Sequence, residues 1–240
     1  MSVLVERADG LFTLDAPQLF MGMPIDTRMS VVRLSRGDVL LYSPVPLDTP
    51  QRAAIAALGR VRWILAPNLY HHLYAAKCGR AFPDAQLLAS PGLAAKRPDV
   101  AWSGPIPERS ASPWAEELDH LYLEGNPAQR EVVLFHRPSG SLIVADLVGN
   151  IRRLSTASMK LFGWMNGWGR LGPPRMLRLM VRDREAAARS LRTLLAWNIA
   201  RVIPCHGEVA AEACSADLAP HFEWLVGEWA TGRLSRRPGT

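Results

Sequence analysis

Residues 61–74 have the sequence VRWILAPNLYHHLY, and the rest of the chain is organised around this stretch. It begins with an apolar run rich in strand-forming residues, which Ala66-Pro67-Asn68 interrupts. Two adjacent histidines, His71 and His72, follow at once. Functional side chains in proteins with helices and sheets collect on loops beyond the ends of central strands. The pattern therefore predicts a buried strand that delivers a histidine to a functional site.

Two later stretches repeat this arrangement of an apolar strand followed by a polar side chain. Residues 141–147, SLIVADL, form an apolar run that ends on Asp146. Residues 201–208, RVIPCHGE, form another that leads through Pro204 to His206. We therefore expect three strand ends to bring histidine and aspartate side chains together at one pocket.

Composition limits the class of protein without naming its function. The 240 residues suffice for one large domain, and 48% hydrophobic with 21% charged residues is ordinary for a globular protein. The formal net charge of +6 is too small to indicate a nucleic-acid partner. We therefore expect a globular chain that does not bind nucleic acid.

Cysteine usage and the first residues favour the cytoplasm. The three cysteines Cys78, Cys205 and Cys214 leave one unpaired in any disulfide scheme, and no CxxC pair is present. The first ten residues contain two acids and no apolar core of signal-peptide length. No stretch approaches the roughly 18 consecutive apolar residues of a membrane-spanning helix. We expect a cytoplasmic protein.

The order of the secondary-structure signals predicts two sheets packed face to face with helices outside. Thr49 is expected to cap a helix that begins at Pro50. Asp183 is expected to cap a second helix, which begins at Arg184. Residues 98–113 are predicted to be a surface loop. The predicted strands cover residues 10–20, 28–34, 39–43, 61–66, 85–90, 118–124, 131–136, 141–146 and 201–204, and further helices cover 73–82 and 214–230.

Taken in order, these elements resemble the metallo-β-lactamase superfamily, whose fold is α+β, a four-layered αβ/βα sandwich. More specifically, the chain resembles the DUF4336 branch, in which segments like PNLYHHLY and FPDA recur. The similarity extends from about Gly10 to Val226. It implies a single domain over residues 1–240, with a helical insertion at about 147–182.

The resemblance also implies a set of metal ligands, of which this chain keeps some and lacks others. The superfamily motif HxHxDH falls on residues 68–73, so Asp and His of the motif fall on or beside His71-His72. Asp146 matches the bridging aspartate and His206 the last histidine. Residues that are not the usual ligands stand at the remaining positions, namely Asn68, Tyr70, Asn126 beside Gly125, and Ser43-Pro44 in place of an early aspartate.

These ligands suffice for one metal ion and not for two. A catalytic zinc needs about three His, Asp or Cys ligands and an open position for water. His71 or His72, Asp146 and His206 meet that number, whereas amide and phenol side chains are poor zinc ligands. The resemblance thus implies a hydrolase of an ester, thioester or phosphoester with one zinc or iron ion. His72, Asp146 and His206 are its expected catalytic residues.

Ordinary structural roles remain open for the same side chains. The two histidines could be satisfied by backbone groups, Asp146 could cap the segment that follows it, and His206 could belong to a simple turn. A Cys205–His206 nucleophile is disfavoured because adjacent residues of an extended strand point to opposite faces. His136 is expected to be an exposed hairpin histidine.

The insertion at 147–182 is basic and apolar. It contains seven arginines and lysines, no acid, and many Trp, Phe, Leu and Met residues. We expect its apolar face to pack on the body or on a second copy, which predicts a homodimer. The alternatives are a lid that receives an apolar, anionic small molecule and, less favoured, contact with a membrane surface. A catalytically inactive module that binds its partner through this insertion is the alternative function.

Overall fold

In a computed structural model, residues 2–227 are described. Thirteen strands account for most of the core. They are β1 (Val5–Ala8), β2 (Leu11–Ala16), β3 (Leu19–Phe20), β4 (Met23–Pro24), β5 (Thr27–Arg33), β6 (Asp38–Tyr42), β7 (Arg60–Ala66), β8 (Gln86–Ala89), β9 (Gly104–Pro105), β10 (Leu118–Tyr122), β11 (Val132–His136), β12 (Ser141–Val144) and β13 (Arg201–Pro204).

Six of the eight helices among residues 2–227 lie between these strands in sequence and two follow β13, and their lengths vary from one turn to about three turns. They are α1 (Thr49–Leu58), α2 (Ala75–Ala81), α3 (Leu93–Lys96), α4 (Ala157–Asn166), α5 (Leu177–Met180), α6 (Arg184–Leu195), α7 (Ser215–Leu218) and α8 (Glu223–Val226). Among residues 2–227, none of the helices has the length and apolarity needed to cross a membrane.

Eleven strands form two mixed sheets, and β3 and β4 form a separate hairpin. The larger sheet has the order β1-β2-β5-β6-β7-β8-β9, antiparallel as far as β6 and parallel from β6 to β9. The smaller sheet has the order β10-β11-β12-β13, in which only β12 and β13 pair in parallel. The parallel pairs place the carboxyl ends of β6, β7 and β8, and those of β12 and β13, at common sheet edges.

The two sheets pack face to face and each has helices on its outer face. Alternate residues of β7 show this arrangement, because Trp63 and Leu65 face the other sheet while Ile64 packs toward the α1 side chain Ile55. On the far side, α6 places Leu191 and other side chains on the outer face of β12 and β13. This is the predicted α+β four-layered sandwich, and the prediction is confirmed.

A small apolar cluster joins the β3–β4 hairpin to the insertion. Met23 and Ile25 pack against Ile151 and Met159, and the ring centroids of Phe20 and Phe162 are 6.2 Å apart. We call residues 18–25 and 147–182 together the cap. Its cluster is separate from the three larger clusters that fill the sandwich.

Some element boundaries differ from those predicted. The expected helix over 214–230 is instead two single α-helical turns, α7 and α8, separated by a 3₁₀ turn at Ala219–His221 that contains Pro220. Residues 228–230 of that prediction lie outside the described residues. The 98–113 loop contains the two-residue strand β9, and His136 is buried rather than exposed.

The first helix is capped by Asp48 and not by Thr49. The Asp48 carboxylate accepts a hydrogen bond from the Gln51 N–H at 2.8 Å, and the Gln51 side chain accepts one from the Asp48 N–H at 3.0 Å. This reciprocal pair satisfies two backbone donors at the start of α1. Thr49 is the first residue of the helix.

Replacing the cap is therefore expected to destabilise the protein. The variant Asp48→Ala should lower the free energy of unfolding by about 1 kcal/mol, because backbone donors of the first turn lose their acceptor. Thr49→Ala is the matched control and should have a smaller effect. Urea denaturation followed by circular dichroism measures both, and a larger loss for Thr49→Ala would contradict this assignment.

Candidate metal site

His71 is directed into the space between the sheets by the side chain of Asn68. The Asn68 Oδ1 atom accepts hydrogen bonds from the N–H groups of Tyr70 at 2.9 Å and His71 at 2.7 Å. This is the turn that asparagine forms with the backbone two residues ahead. The same loop is fixed to β11, since the Pro67 carbonyl accepts a hydrogen bond from the Val132 N–H at 2.8 Å. The loop after β7 thus holds the imidazole of His71 in a fixed position.

Two other strand ends supply the remaining groups. Asp146 follows β12 and His206 follows β13, and the parallel pairing of these strands places their ends side by side. The Nε2 atoms of His71 and His206 are 3.1 Å apart. Asp146 Oδ1 lies 3.3 Å from the first of these nitrogens and 3.6 Å from the second. Residues far apart in sequence therefore converge on one point, as the strand-end pattern predicted.

Each imidazole is also held at its other nitrogen. His206 Nδ1 lies 2.8 Å from the carbonyl oxygen of Asp26, which can only accept a hydrogen bond. When the ring is neutral, His206 Nε2 therefore carries no proton and presents a lone pair to the other two groups. His71 Nδ1 lies 2.8 Å from the hydroxyl of Ser43, at the position where the superfamily has an aspartate. Such outer contacts fix the orientation of metal-binding histidines.

The charges in the site stabilise the ionised carboxylate. Burial by itself would raise the pKa of Asp146, but the charges of His71 and His206 and their hydrogen bonds hold this pKa well below its usual value. Burial also opposes protonation of His206, yet the hydrogen bond and charge of Asp146 raise its pKa overall. The site therefore places an ionised carboxylate beside two imidazole rings.

The three groups fit one tetrahedral metal ion. Two ligand atoms at roughly 2.0–2.1 Å from a tetrahedral zinc stand roughly 3.3 Å apart. The observed separations of 3.1, 3.3 and 3.6 Å scatter around that value. Within residues 2–227, these three form the one group of His, Cys, Asp and Glu side chains whose ligand atoms all lie within 4.8 Å. The donor set of two histidines and one carboxylate is typical of catalytic zinc.

Of the four side chains predicted as ligands, the structure leaves His72 outside this group. Its side chain is buried on the other side of the loop, where Nδ1 lies 3.0 Å from Arg97 Nη1. The structure brings His71, and not His72, to Asp146 and His206, because the Asn68 turn directs the first histidine of the pair inward. A catalytic role for any of these residues stays a prediction. That these side chains bind a metal stays a prediction.

A second metal site has no comparable ligand set among the described residues. Asn68, at the first histidine position of the motif, uses its Nδ2 to donate to Asp146 Oδ2 at 2.7 Å. Asn126 donates from its amide to Gln129 Oε1 at 2.8 Å and does not reach the three groups. Tyr70 is half exposed at the edge of the loop. The positions that depart from the family motif have structural partners instead.

The sequence analysis missed Glu131, a fully buried acid behind the site. Its carboxylate accepts hydrogen bonds from the N–H groups of Ala145 at 2.7 Å and Asp146 at 2.9 Å. Side-chain amides of Gln129 and Asn68 also donate to it, at 3.0 and 3.5 Å. Burial, followed by the nearby charge of Asp146, raises the pKa of Glu131, and the hydrogen bonds from the Asp146 and Ala145 N–H groups and the Asn68 amide oppose this rise by stabilising the carboxylate. The only sequence signal was an acid directly before a fully apolar strand.

The three groups open into a cavity of about 390 Å³ beneath the cap. Aromatic and aliphatic side chains from the cap and from the loop after β7 form most of its wall. Thr27, Gln129 and Asn166 add a few polar groups, and among residues 2–227 no arginine or lysine lines it. The lining includes Phe20, Ile25, Tyr74, Val148, Ile151, Phe162, Trp168, Met176, Leu177 and Met180. A cavity of this size and character takes a mainly apolar small molecule.

A family model described as a domain of unknown function, DUF4336, matches residues 8–162. No curated protein sequence matches the chain significantly. Among solved structures, a metallo-β-lactamase from Pontibacter korlensis is 9% identical with a TM-score of 0.63, and the match covers 95% of this chain and 100% of that one. The mono-zinc form of FIM-1 from Pseudomonas aeruginosa is 11% identical with a TM-score of 0.61, over 94% and 93% of the two chains.

A third structure, a metallo-β-lactamase from Hirschia baltica, is 11% identical with a TM-score of 0.61. The match covers 90% of this chain and 95% of that one. At such identities the likeness establishes the fold alone. It confirms the layered sandwich predicted from the order of the strands and helices.

We expect the buried carboxylate of Glu131 to stabilise the folded state. In Glu131→Gln, an amide N–H₂ group would face backbone N–H donors and leave at least one of them unpaired. The free energy of unfolding should fall by about 1–3 kcal/mol. Chemical denaturation measures this loss, with Glu124→Gln, a change of a half-exposed acid, as the control. Equal stability of the two variants would contradict the role assigned to Glu131.

Proposed function

Since the chain belongs to the DUF4336 family and has the metallo-β-lactamase fold, we propose that it is a hydrolase with one metal ion. The ion would be held by His71 Nε2, Asp146 Oδ1 and His206 Nε2. The observation that carries this proposal is the spacing of these three atoms, which suits one tetrahedral ion and leaves a position open to the cavity. Zinc or iron is the expected ion.

The chemistry of the ion is that of a Lewis acid, which polarises a substrate oxygen and lowers the pKa of water to near 7. The protein orients the side chains that would hold the ion. The Asp26 carbonyl and the Ser43 hydroxyl fix the two rings, and Asn68 holds the second oxygen of Asp146. Preorganised groups of this kind need no rearrangement when the substrate arrives.

The wall of the cavity favours an acyl ester or thioester over a phosphoester. A phosphoester brings charge that proteins usually neutralise with arginine or lysine, and in the described part of the chain neither residue lines the cavity. Its apolar wall would bury an acyl chain and exclude water around the scissile carbonyl. The expectation that the arginines of the insertion receive an anionic portion of the substrate is therefore set aside in favour of a neutral acyl group.

Metal binding should depend on His71 and not on its neighbour. Protein supplemented with zinc or iron is expected to contain about one metal ion per chain. His71→Ala and Asp146→Ala should lower the metal content severalfold, because each removes one of only three ligands. His72→Ala is the matched control and should keep the wild-type content. Elemental analysis of purified protein measures this, and equal loss in the two histidine variants would reject the assignment.

The rate of hydrolysis should depend on the same three side chains as metal binding. The metal-loaded protein is expected to hydrolyse p-nitrophenyl octanoate faster than p-nitrophenyl acetate or bis-p-nitrophenyl phosphate, because the longer acyl chain fills the apolar cavity. His206→Ala should reduce the rate by about 100-fold or more. Bound metal without turnover of any of the three substrates would instead support the alternative, a catalytically inactive binding module.

A further inference from the structure

The exposed apolar side chains of this protein are concentrated at one place. Apart from Val3 and Val5, every exposed large apolar side chain among residues 2–227 lies on the cap or on the loop after β7. These side chains are Leu19, Phe20, Met21, Tyr70, Leu73, Leu161, Trp164, Met165, Met176 and Leu179. Phe20, Tyr70, Leu73 and Met176 also line the cavity, so the patch surrounds its mouth.

On helix α4 the exposed apolar side chains lie on the face opposite the buried one. Met159, Gly163 and Asn166 face inward and are buried, as expected for one side of an amphipathic helix. The outward side is also apolar, with Leu161, Trp164 and Met165 exposed at 62%, 73% and 56%. A solvent-facing helix surface of this kind marks a site of contact with something apolar.

The insertion that carries half of this patch is also basic. All seven basic residues of the insertion are exposed, and the insertion contains no acid. Among residues 2–227, Arg152 is the one of the seven that lies within 4.0 Å of a carboxylate, that of Glu208. The other six are Arg153, Lys160, Arg170, Arg175, Arg178 and Arg182. The cap therefore combines exposed apolar side chains with six basic side chains that have no carboxylate within 4.0 Å in the described part of the chain.

We propose that the cap docks this protein on an anionic lipid surface, with the mouth of the cavity toward the lipid. The exposed apolar side chains would enter the boundary between headgroups and acyl chains, and the arginines would lie among the lipid phosphates. A second copy of the chain fits this surface less well. A symmetric contact through the cap would bring two basic, acid-free patches together, and like charges repel.

Docking in this orientation also defines a route for the substrate. The cavity mouth would open directly onto acyl chains, so an amphiphilic ester could enter from the lipid with its chain first. This part rests on the proposed hydrolase function. The docking itself rests only on the surface of the cap.

Vesicle binding by the metal-free protein tests the docking. Flotation with phosphatidylcholine vesicles and with vesicles of phosphatidylcholine and phosphatidylglycerol should give binding to the anionic vesicles, at least about tenfold weaker binding to the neutral ones, and a decrease with added salt. The triple variant L161S/W164S/M165S should weaken anionic binding on the order of tenfold or more. The control V3S/V5S removes two exposed apolar side chains that lie off the cap and should bind as wild type.

A second pair of variants tests the charge. Lys160→Gln should weaken binding to anionic vesicles about fivefold, whereas Lys77→Gln, an exposed lysine on α2, should not. Unchanged circular dichroism would show that the variants fold. Absence of binding to anionic vesicles, or equal losses in cap and control variants, would overturn the proposal.

Sedimentation in the absence of lipid decides between lipid and a second copy. A dimer that the triple variant L161S/W164S/M165S dissociates would show that the cap is an interface between copies, and this too would overturn the proposal. Because the vesicle assay is done without metal, its failure is independent of a failure to bind metal or to hydrolyse esters. The two proposals can therefore be rejected separately.

Discussion

The arrangement of the site depends on the buried carboxylate of Glu131. Four donors converge on it, two from the backbone after β12 and two from the amides of Gln129 and Asn68. A buried carboxylate is costly unless its oxygens are hydrogen-bonded, and a network with every partner in place is rigid. Through Glu131, the end of one sheet is tied to the loop that follows β7 of the other. That connection positions Asp146 relative to the loop that carries His71.

The fold was predictable because its strongest signals are local and consistent with one another. Short apolar runs bounded by Pro, Asn or Gly located β7, β12 and β13 within a residue or two, and Asp183 marked the start of α6. The two sheets and their outer helices then followed from the order of the elements. The failures concern short elements whose existence depends on tertiary contacts, such as α7, α8 and β9.

The site was predictable only in part, for reasons that lie beyond local sequence. The strand ends located Asp146 and His206, but alternation cannot decide between His71 and His72, since both lie in a turn. Asn68 determines which histidine faces inward, because its side-chain oxygen accepts hydrogen bonds from two backbone N–H groups of the turn. Glu131 was missed because only long-range packing buries it and surrounds it with donors.

The contact between Asn68 and Asp146 suits the candidate site to one metal ion and not to two. A carboxylate that bridges two ions needs lone pairs directed at both. Asn68 Nδ2 donates to Asp146 Oδ2 at 2.7 Å, so that oxygen already has a hydrogen-bond partner. Only Oδ1 faces the two imidazoles. Asn68 thus fixes the carboxylate of Asp146 in an orientation that suits one ion. The open side of the candidate site is the apolar cavity.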